Sequence, residues 1–228
     1  MATILQIETA TQVCSAALSV NGETIALKEL AAQNIHAANL TLFIQEVMEQ
    51  AGLTYAALDA VAVSKGPGSY TGLRIGVSTA KGLCFAIEKP LIGINTLEMM
   101  AQGFMNTHAD YAGLVCPMID ARRMEVFTAL YHNDLQEILP VTAKIIDETS
   151  YQEELANQQI TFIGDGAAKC RESILSANAL FSDLNFNSAA SMSKLAFEAF
   201  NKGDFEDLAY FEPYYLKDFV ITQAKKKV

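Results

Sequence analysis

Several features that would assign a chain to a membrane, to secretion or to a metal site are missing from this sequence of 228 residues. No apolar run approaches the ~18 residues that cross a bilayer, and residues 1–8 have neither the basic region nor the cleavage site of a signal peptide. The four cysteines, at positions 14, 84, 116 and 170, form no Cys-x-x-Cys pair, so they give no zinc motif and suit a reducing compartment. These absences predict a cytoplasmic protein without a membrane association.

Positive charge is also scarce, because 16 Lys and Arg face 26 Asp and Glu and leave a formal net charge of -10. Affinity for nucleic acids depends largely on basic side chains that neutralise phosphates. The basic cluster at residues 225–227 is typical of a solvated terminus. Direct binding of RNA by this chain alone is therefore not expected.

What the sequence does contain is an alternation of strand-like and helix-like patterns in two halves. In the first half we predict strands at 3–8, 13–20, 23–30, 59–64 and 91–95, and helices at 37–51, 73–87 and 96–105. In the second half we predict strands at 114–119, 124–131, 137–146 and 160–164, and helices at 151–157, 167–175 and 191–201. Two β-β-β-α-β-α units, in lobes 1–108 and 109–228, describe the two-lobed α/β fold of actin, hexokinase and the sugar kinases (the ASKHA fold). A fold of this kind does not by itself give a function.

The glycine-rich stretch at residues 65–76, KGPGSYTGLRIG, follows a predicted strand and opens a predicted helix. It lacks the Gly-Lys-Ser/Thr ending of a P-loop and the third glycine of the dinucleotide-binding pattern. Backbone N–H groups near Gly68 could still bind an anion at the start of a helix. We favour the alternative, a tight strand-to-helix turn.

Actin-like ATPases hold the nucleotide phosphates between two hairpins, each with a glycine that lets the backbone approach closely. The equivalent segments here, residues 8–11 and 120–123, contain no glycine, and Arg122 could instead pair with an anion or with the carboxylate of a partner. A complete phosphotransfer site is therefore not expected. A vestigial nucleotide site would consist of Thr9, Gly68, Asp120, Arg122, Gly164 and Gly166.

No other catalytic set is visible in the sequence. The histidines at positions 36, 108 and 132 show no metal-ligand spacing, and no Ser or Cys lies in a nucleophile-elbow pattern.

Five segments together resemble a known family: ILQIETATQVCSAAL, KGPGSYTGLRIG, DARRMEVF, FIGDG and EPYYLKDFV. They are similar to the bacterial TsaB (YeaZ) proteins of tRNA threonylcarbamoyladenosine (t6A) biosynthesis. The resemblance runs through the whole chain and implies an actin-like fold of two lobes. It also implies membership of a complex that places threonylcarbamoyl on the adenosine next to the anticodon of tRNAs.

The catalytic relative, TsaD, carries a His-x-x-x-His metal pair in a stretch like VNHLEGH. The matching stretch here is INTLEMM, in which Thr96 and Met100 stand at the two histidine positions. Neither side chain replaces imidazole on a hard or borderline metal. The resemblance thus implies a non-catalytic subunit with no cofactor of its own. The subunit would bind a TsaD-type catalytic subunit and a TsaE-type ATPase. The complex would supply ATP and the metal, and the metal would lie on TsaD. The chain would contact tRNA only through this complex.

Two rows of residues on the helix 73–87 are candidates for a docking surface. Gly72, Gly76 and Ala80 recur at a spacing that permits close approach of another helix, and Leu73 and Val77 begin a second row. The residues alone leave open whether both rows are internal. TsaB proteins pair through their N-lobe helices, both with themselves and with TsaD. On that resemblance we predict a partner interface formed by Leu40, Phe43, Ile44, Val47, Leu73, Gly76, Val77 and Ala80, with a homodimer as one alternative for the isolated chain.

Two other functions remain as alternatives. A small-molecule kinase of the same fold would need an Asp base and glycine-bearing phosphate hairpins, and it would transfer phosphate from ATP on its own. A protease acting on its TsaD partner would need a nucleophile or metal set, and it would cut TsaD into discrete fragments.

Overall fold

The computed structural model describes residues 1–217, which form two five-stranded mixed sheets with helices around them. The first half of the chain forms, in order, β1 (Thr3–Glu8), β2 (Val13–Val20), β3 (Glu23–Ala31), α1 (His36–Ala51), β4 (Ala60–Gly66), α2 (Tyr70–Ile87), β5 (Leu91–Asn95) and α3 (Thr96–Thr107). Its sheet has the order β3-β2-β1-β4-β5. The strands β1, β2 and β3 pair antiparallel, whereas β4 and β5 continue the sheet in parallel with β1.

The second half repeats this arrangement. It forms β6 (Leu114–Asp120), β7 (Glu125–Tyr131), β8 (Glu137–Ile145), α4 (Gln152–Asn157), β9 (Ile160–Ile163), α5 (Ala167–Cys170), β10 (Ala179–Phe181) and α6 (Ser193–Lys202). A 3₁₀ turn (Ala189–Met192) precedes α6. The second sheet has the order β10-β9-β6-β7-β8. If β6 to β10 are matched in sequence to β1 to β5, this is the same order as in the first sheet, read from the opposite edge. The duplicated β-β-β-α-β-α element order predicted from the sequence is therefore present.

Most predicted boundaries are shifted by one or two residues, and three differences are larger or have a clear physical reason. Helix α2 begins at Tyr70, ahead of the predicted start, because Ser69 caps it and its side-chain oxygen accepts from Gly72 N at 3.3 Å. The helix predicted at 167–175 is wrong beyond Cys170, where the backbone turns and Cys170 O accepts from Ser173 N. The short strand β10 was not predicted.

Buried apolar side chains form three clusters in successive layers. One cluster lies between the first sheet and the helices α1 and α2, which cover the outer face of that sheet. Another cluster lies between the second sheet and the helices α4 and α5. The remaining cluster lies between the two sheets, where α3 and α6 pack with residues from both sheets, such as Ile4 and Ile119. Helix α6 belongs to the second half of the chain but packs on β1 and β5. The two halves thus share one core; the lobe boundary at residue 108 stays a prediction.

The C-terminal segment (residues 204–217) returns across the first half of the molecule. Glu206 N donates to Leu91 O on the edge strand β5 at 2.9 Å, and Lys81 on α2 donates to Phe211 O at 2.9 Å. Tyr214 N then donates to Lys65 O at 2.6 Å. The basic cluster at 225–227 lies outside the described residues.

All four cysteines are buried free thiols: Cys14, Cys84, Cys116 and Cys170. Burial raises the pKa of Cys14 and of Cys84 to about 11 and that of Cys116 to about 12. It also raises the pKa of Cys170. These thiols are therefore neutral at physiological pH. Among residues 1–217, no helix has the length and apolar character that crossing a bilayer requires.

Candidate functional site

The glycine-rich stretch folds against the turn between β1 and β2. Ser69 N donates to Ala10 O at 2.6 Å, and the Thr9 hydroxyl donates to Gly72 O at 2.8 Å. A Cβ atom at Gly68 would overlap Ala10. The glycines are required because another segment of the same chain occupies the space that their side chains would need. This agrees with the favoured prediction of a structural turn rather than an anion-binding loop.

The glycine row on α2 faces the same turn. Cβ atoms at Gly72 and Gly76 would overlap the backbone oxygen and the hydroxyl of Thr9, respectively. The segment that packs closely against these glycines is therefore the β1–β2 turn of this chain. The prediction that Gly76 contacts a partner helix is wrong for that physical reason.

The rest of the predicted partner interface is also buried within the chain. Its members lie in or beside the core cluster under the first sheet and expose 5% of their surface or less: Leu40, Phe43, Ile44, Val47, Leu73, Val77 and Ala80. Their helical spacing marks the faces of α1 and α2 that pack on the sheet. A partner that docks on these helices would contact their opposite faces, and the prediction of these particular side chains is corrected accordingly.

The outer faces of the two helices carry exposed apolar residues that the sequence reasoning missed. Phe85 on α2 is 79% exposed and Leu42 on α1 is 52% exposed. Gly82 has no atom within 4 Å of the position of a Cβ, and Ser78 is exposed one turn earlier. The sequence carried no signal for these residues, because Phe85 becomes distinct from other apolar residues only through its exposure in the folded chain.

The residues proposed for a vestigial nucleotide site fall into two groups. Thr9 and Gly68 are engaged at the β1–β2 turn, as described above. The other group lies at the ends of β6 and β9: Asp120, Arg122, Gly164 and Gly166. A Cβ at Gly164 would overlap Met100 and Met118, and one at Gly166 would lie about 3 Å from backbone atoms of β6. Both glycines therefore accommodate the protein's own packing, and the vestigial nucleotide site stays a prediction.

A small network of charges holds the β6–β7 turn. Asp120 accepts from Arg122 N at 2.8 Å and pairs with Lys169, while Asp120 N donates to Asp165 Oδ1 at 3.0 Å. Burial raises the pKa of Asp165. The Arg122 side chain is exposed, and both Arg122 and Arg123 have positive φ. The Asp120 carboxylate is thus engaged within the chain, by the backbone of its own turn and by Lys169 on α5.

The positions predicted to replace a metal pair are buried at the start of α3. Met100 lies in the core between the sheets, and Thr96 is fully buried with no hydrogen-bond partner for its hydroxyl. Within residues 1–217, no three His, Cys, Asp or Glu side chains are grouped so that they could hold a metal ion. A hydroxyl and a thioether do not fit the metal centre of a TsaD-type enzyme.

The C-terminal segment contacts two of the other four sequence motifs. The Tyr215 ring packs at a tilt of 35° against the Tyr70 ring, with the ring centroids 4.7 Å apart, and the Tyr215 hydroxyl accepts from Arg74 Nε at 3.1 Å. Lys217 pairs with Glu125 on β7. The segments EPYYLK, KGPGSYTGLRIG and DARRMEVF are therefore in contact through these side chains.

The comparisons with known proteins agree with these motifs. A family model described as "TsaD: tRNA N6-adenosine threonylcarbamoyltransferase" matches residues 28–226. The tRNA threonylcarbamoyladenosine biosynthesis protein TsaB of Escherichia coli (strain K12) is 40% identical over 131 residues, which are 58% of this chain and 55% of that protein. YeaZ from Pseudomonas aeruginosa has a structure that superposes with a TM-score of 0.83 at 26% identity, over 95% of this chain and 100% of that one.

The chain belongs to the TsaD family, in its TsaB (YeaZ) branch. The resemblance to the TsaB family drawn from the sequence is confirmed. The chain spans about half the length of the curated TsaB relatives it matches first.

The actin-like (ASKHA) fold is also confirmed. The activator of the 2-hydroxyisocaproyl-CoA dehydratase from Clostridium difficile, solved with bound ADPNP, superposes with a TM-score of 0.53 at 9% identity. This match covers 89% of this chain and 97% of that one. At so low an identity the likeness concerns the fold alone.

Proposed function

We propose that this chain is a non-catalytic accessory subunit for t6A formation on tRNA, and that it binds a TsaD-type transferase and, with it, a TsaE-type ATPase. Two features together support this proposal. The TsaB-family motifs are present and contact one another, and Thr96 and Met100 stand where a TsaD-type enzyme has its pair of metal-binding histidines. The chain would supply a surface, whereas the metal and the ATP chemistry would belong to its partners.

The docking surface that we propose is the outer face of α1 and α2. It includes Leu42, Ser78, Gly82 and Phe85, all of them exposed. Exposed aromatic side chains at the centre of an interface commonly contribute more than their neighbours to affinity. The same face would serve a homodimer when the partner is absent.

The proposed function is tested by reconstitution. The purified chain alone should transfer no threonylcarbamoyl group to tRNA, and the reaction should depend on its addition to a TsaD-type subunit and a TsaE-type ATPase. Transfer by the chain alone would contradict the non-catalytic role. Full activity of the partners without the chain would contradict the accessory role.

The docking surface is tested by Phe85→Glu. Placing a charge at the centre of an interface should weaken binding to the TsaD-type subunit at least tenfold, which is about 1.4 kcal/mol, while the melting temperature stays unchanged because Phe85 is exposed. Leu175→Glu is the matched control, since Leu175 is 83% exposed in the second half of the molecule. Equal binding by both variants, measured by calorimetry, would place the interface elsewhere.

A further inference from the structure

The β6–β7 turn presents two adjacent arginines, Arg122 and Arg123, that are both exposed. The other two arginines of the sequence have partners within the chain, because Arg171 pairs with Asp183 and Arg74 donates to a tyrosine hydroxyl. Neither guanidinium group of the turn forms a hydrogen bond or an ion pair with a residue in the range 1–217. Both positive charges are therefore open to a ligand from outside the chain.

The backbone of both arginines has a conformation that residues other than glycine rarely adopt. The φ angles are 72° at Arg122 and 52° at Arg123, in the left-handed region where the backbone crowds a Cβ atom. Glycine would occupy both positions with less strain. Exposed side chains without a partner do not offset this strain by contacts in the described part of the chain. Backbone strain of this kind is common at binding sites.

Side chains from three parts of the chain hold the turn in place. Asp120 Oδ1 accepts from Arg122 N at 2.8 Å, and Asp165 Oδ1 accepts from Asp120 N at 3.0 Å. Lys169 pairs with Asp120 and donates to Glu125 O at 2.7 Å, at the start of β7. The turn is thus positioned before a ligand arrives, which lowers the entropy cost of binding.

The carboxylates that flank the arginines in the sequence are engaged by lysines. Asp120 pairs with Lys169, and Glu125 pairs with Lys217 of the C-terminal segment. These two ion pairs cancel in charge, and Asp165 is the remaining carboxylate of the network. The two arginines therefore leave the turn with a positive balance, although the whole chain has a net charge of -10. Local balance matters most, since charges beyond about 8 Å are largely screened at physiological ionic strength.

The phosphate backbone of a nucleic acid is the ligand that this turn suits. A guanidinium group is planar, always charged, and can donate two parallel N–H bonds to phosphate oxygens. Phosphates lie on the outside of an RNA, where an exposed turn can reach them. The space at Gly164 and Gly166 is filled by the protein's own packing, so no bare backbone is left there for the phosphates of a nucleotide.

We propose that Arg122 and Arg123 contact the phosphate backbone of tRNA when the chain is assembled with its TsaD-type and TsaE-type partners. This inference rests on the proposed function, which brings an RNA substrate to the complex. The contact is direct, whereas the sequence alone predicted an indirect one. The net charge of -10 still opposes tight binding of RNA by the chain alone, so the contact adds affinity within the complex.

The turn is separate from the proposed docking surface on α1 and α2. Phe85 lies near the C-terminal end of α2, whereas the segment that pairs with Glu125 crosses the N-terminal end of this helix, where Tyr215 packs on Tyr70. Because an α-helix rises 1.5 Å per residue, Tyr70 and Phe85 are about 22 Å apart. The arginines can therefore be changed without altering the docking surface.

The main test compares two double variants that lose the same charge. Arg122→Gln with Arg123→Gln removes the proposed contact, and Arg171→Gln with Lys194→Gln removes two exposed positive charges elsewhere in the second half. Fluorescence anisotropy with labelled tRNA measures the affinity of each reconstituted complex.

The two variants should differ in both affinity and salt dependence. The arginine variant should bind tRNA about tenfold more weakly. The slope of log K against log salt concentration should become shallower by about 1.4–1.8, because each phosphate contact contributes about 0.7–0.9. The control should behave as the wild type does. Equal affinity and equal slope in both variants would overturn the proposal.

Two other anions are outcomes of the same experiment. If the arginines bind a carboxylate of the TsaD-type subunit, the arginine variant should lose affinity for that subunit when no tRNA is present, as measured by calorimetry. If they bind a nucleotide, the variant should lose affinity for ATP and keep its affinity for tRNA. Either result would overturn the RNA contact.

Glycine substitution separates binding from a structural role. Arg122→Gly with Arg123→Gly should raise the melting temperature by about 2–4 °C, because the left-handed strain is relieved, and should weaken tRNA binding as the Gln variant does. A lower melting temperature with unchanged tRNA affinity would mean that the arginines serve only the turn, against the proposal.

The proposed function and this inference fail in different ways. If t6A formation does not depend on the chain, the proposed function is wrong. If it does depend on the chain, but the arginine variant keeps wild-type affinity for tRNA, only the RNA contact is wrong. If the chain does not assemble with its partners, anisotropy of the chain alone at low ionic strength decides. There the arginine variant should bind tRNA more weakly than the control, and equal binding would overturn the contact.

Discussion

At the scale of single residues, the contact between Thr9 and α2 explains the most specific motif of the sequence. The Thr9 hydroxyl is bonded to Gly72 O and also fills the space beside Gly76. Two glycines one turn apart are thus matched to one threonine from a turn more than 60 residues earlier in the chain. The motif describes a packing requirement, and it needs no ligand to account for it.

Gly76→Ala should lower the free energy of unfolding. The new methyl group displaces the Thr9 hydroxyl, and overpacking of this kind costs ~1–3 kcal/mol, against a gain of up to ~1 kcal/mol for removing a helix glycine. Gly82→Ala on the same helix should only gain, because its Cβ meets open space. Urea unfolding of both variants gives the comparison.

A double variant separates the Thr9 contact from general strain in the helix. Thr9→Ala removes the hydroxyl that the new methyl group would meet, so Thr9→Ala with Gly76→Ala should cost less than the sum of the single changes. Strict additivity would show that the two side chains do not interact.

The spacing of apolar residues predicted burial at this scale but could not identify what covers each residue. Leu40, Ile44 and Val77 recur at helical intervals and are buried, as such a pattern indicates. A buried row looks the same whether a partner or the protein's own sheet covers it. The position of Thr9 beside Gly76 depends on a long-range fold contact, which periodicity does not contain.

At the scale of elements, the C-terminal segment (residues 204–217) packs across the surface of the first half of the molecule. It has no helix, and its backbone bonds reach β5, α2 and β4 in turn. Leu208 and Phe211 pack against the cluster beneath the first sheet. A segment of this kind is held by a few anchors, so each anchor should matter.

Phe211→Ala should therefore destabilise the protein by about 2 kcal/mol, roughly half of the cost of a fully buried Phe. Tyr210→Ala is the matched control, because Tyr210 is 84% exposed and exposed substitutions usually change stability by ~0.5 kcal/mol or less. Thermal unfolding followed by circular dichroism measures both. Equal losses would mean that the segment is not anchored through Phe211.

Elements with strong local patterns were predictable, and those fixed by context were not. The strands β1, β2 and β5 have the predicted bounds, since each is an apolar run between polar turns. Strand β10 has three residues and exists because it pairs with β9. Helix α5 ends early because the chain turns at Cys170, and its periodicity gave no sign of this.

At the scale of the whole molecule, the core between the sheets couples the two halves. Helices α3 and α6 each contribute side chains to it, and it includes Val115 and Ile163 from the second sheet as well as Ile92 from the first. Neither half can keep this surface buried when the other unfolds.

The chain should therefore unfold in one transition, although its two sheets are separate. Tyrosine fluorescence is a suitable probe because the sequence has eight Tyr and no Trp, and circular dichroism reports both sheets. The two denaturation curves should coincide. Two separate midpoints would show that the lobes at 1–108 and 109–228 are independent folding units.

The fold and family were predictable at this scale because element order and five motifs extend over the whole chain. The docking surface was not, since a surface is what remains exposed after folding. Phe85 is one apolar residue among many in the sequence, and its exposure follows only from how α2 lies on the sheet.

The burial of every cysteine has a practical consequence for spectroscopy. Because the four native thiols are buried and neutral, maleimide reagents should leave the folded protein almost unlabelled. A cysteine introduced at Gly82, which faces open space, would then carry a single fluorophore or spin label on the outer face of α2. Such a probe would report directly whether that face becomes covered when a partner is added.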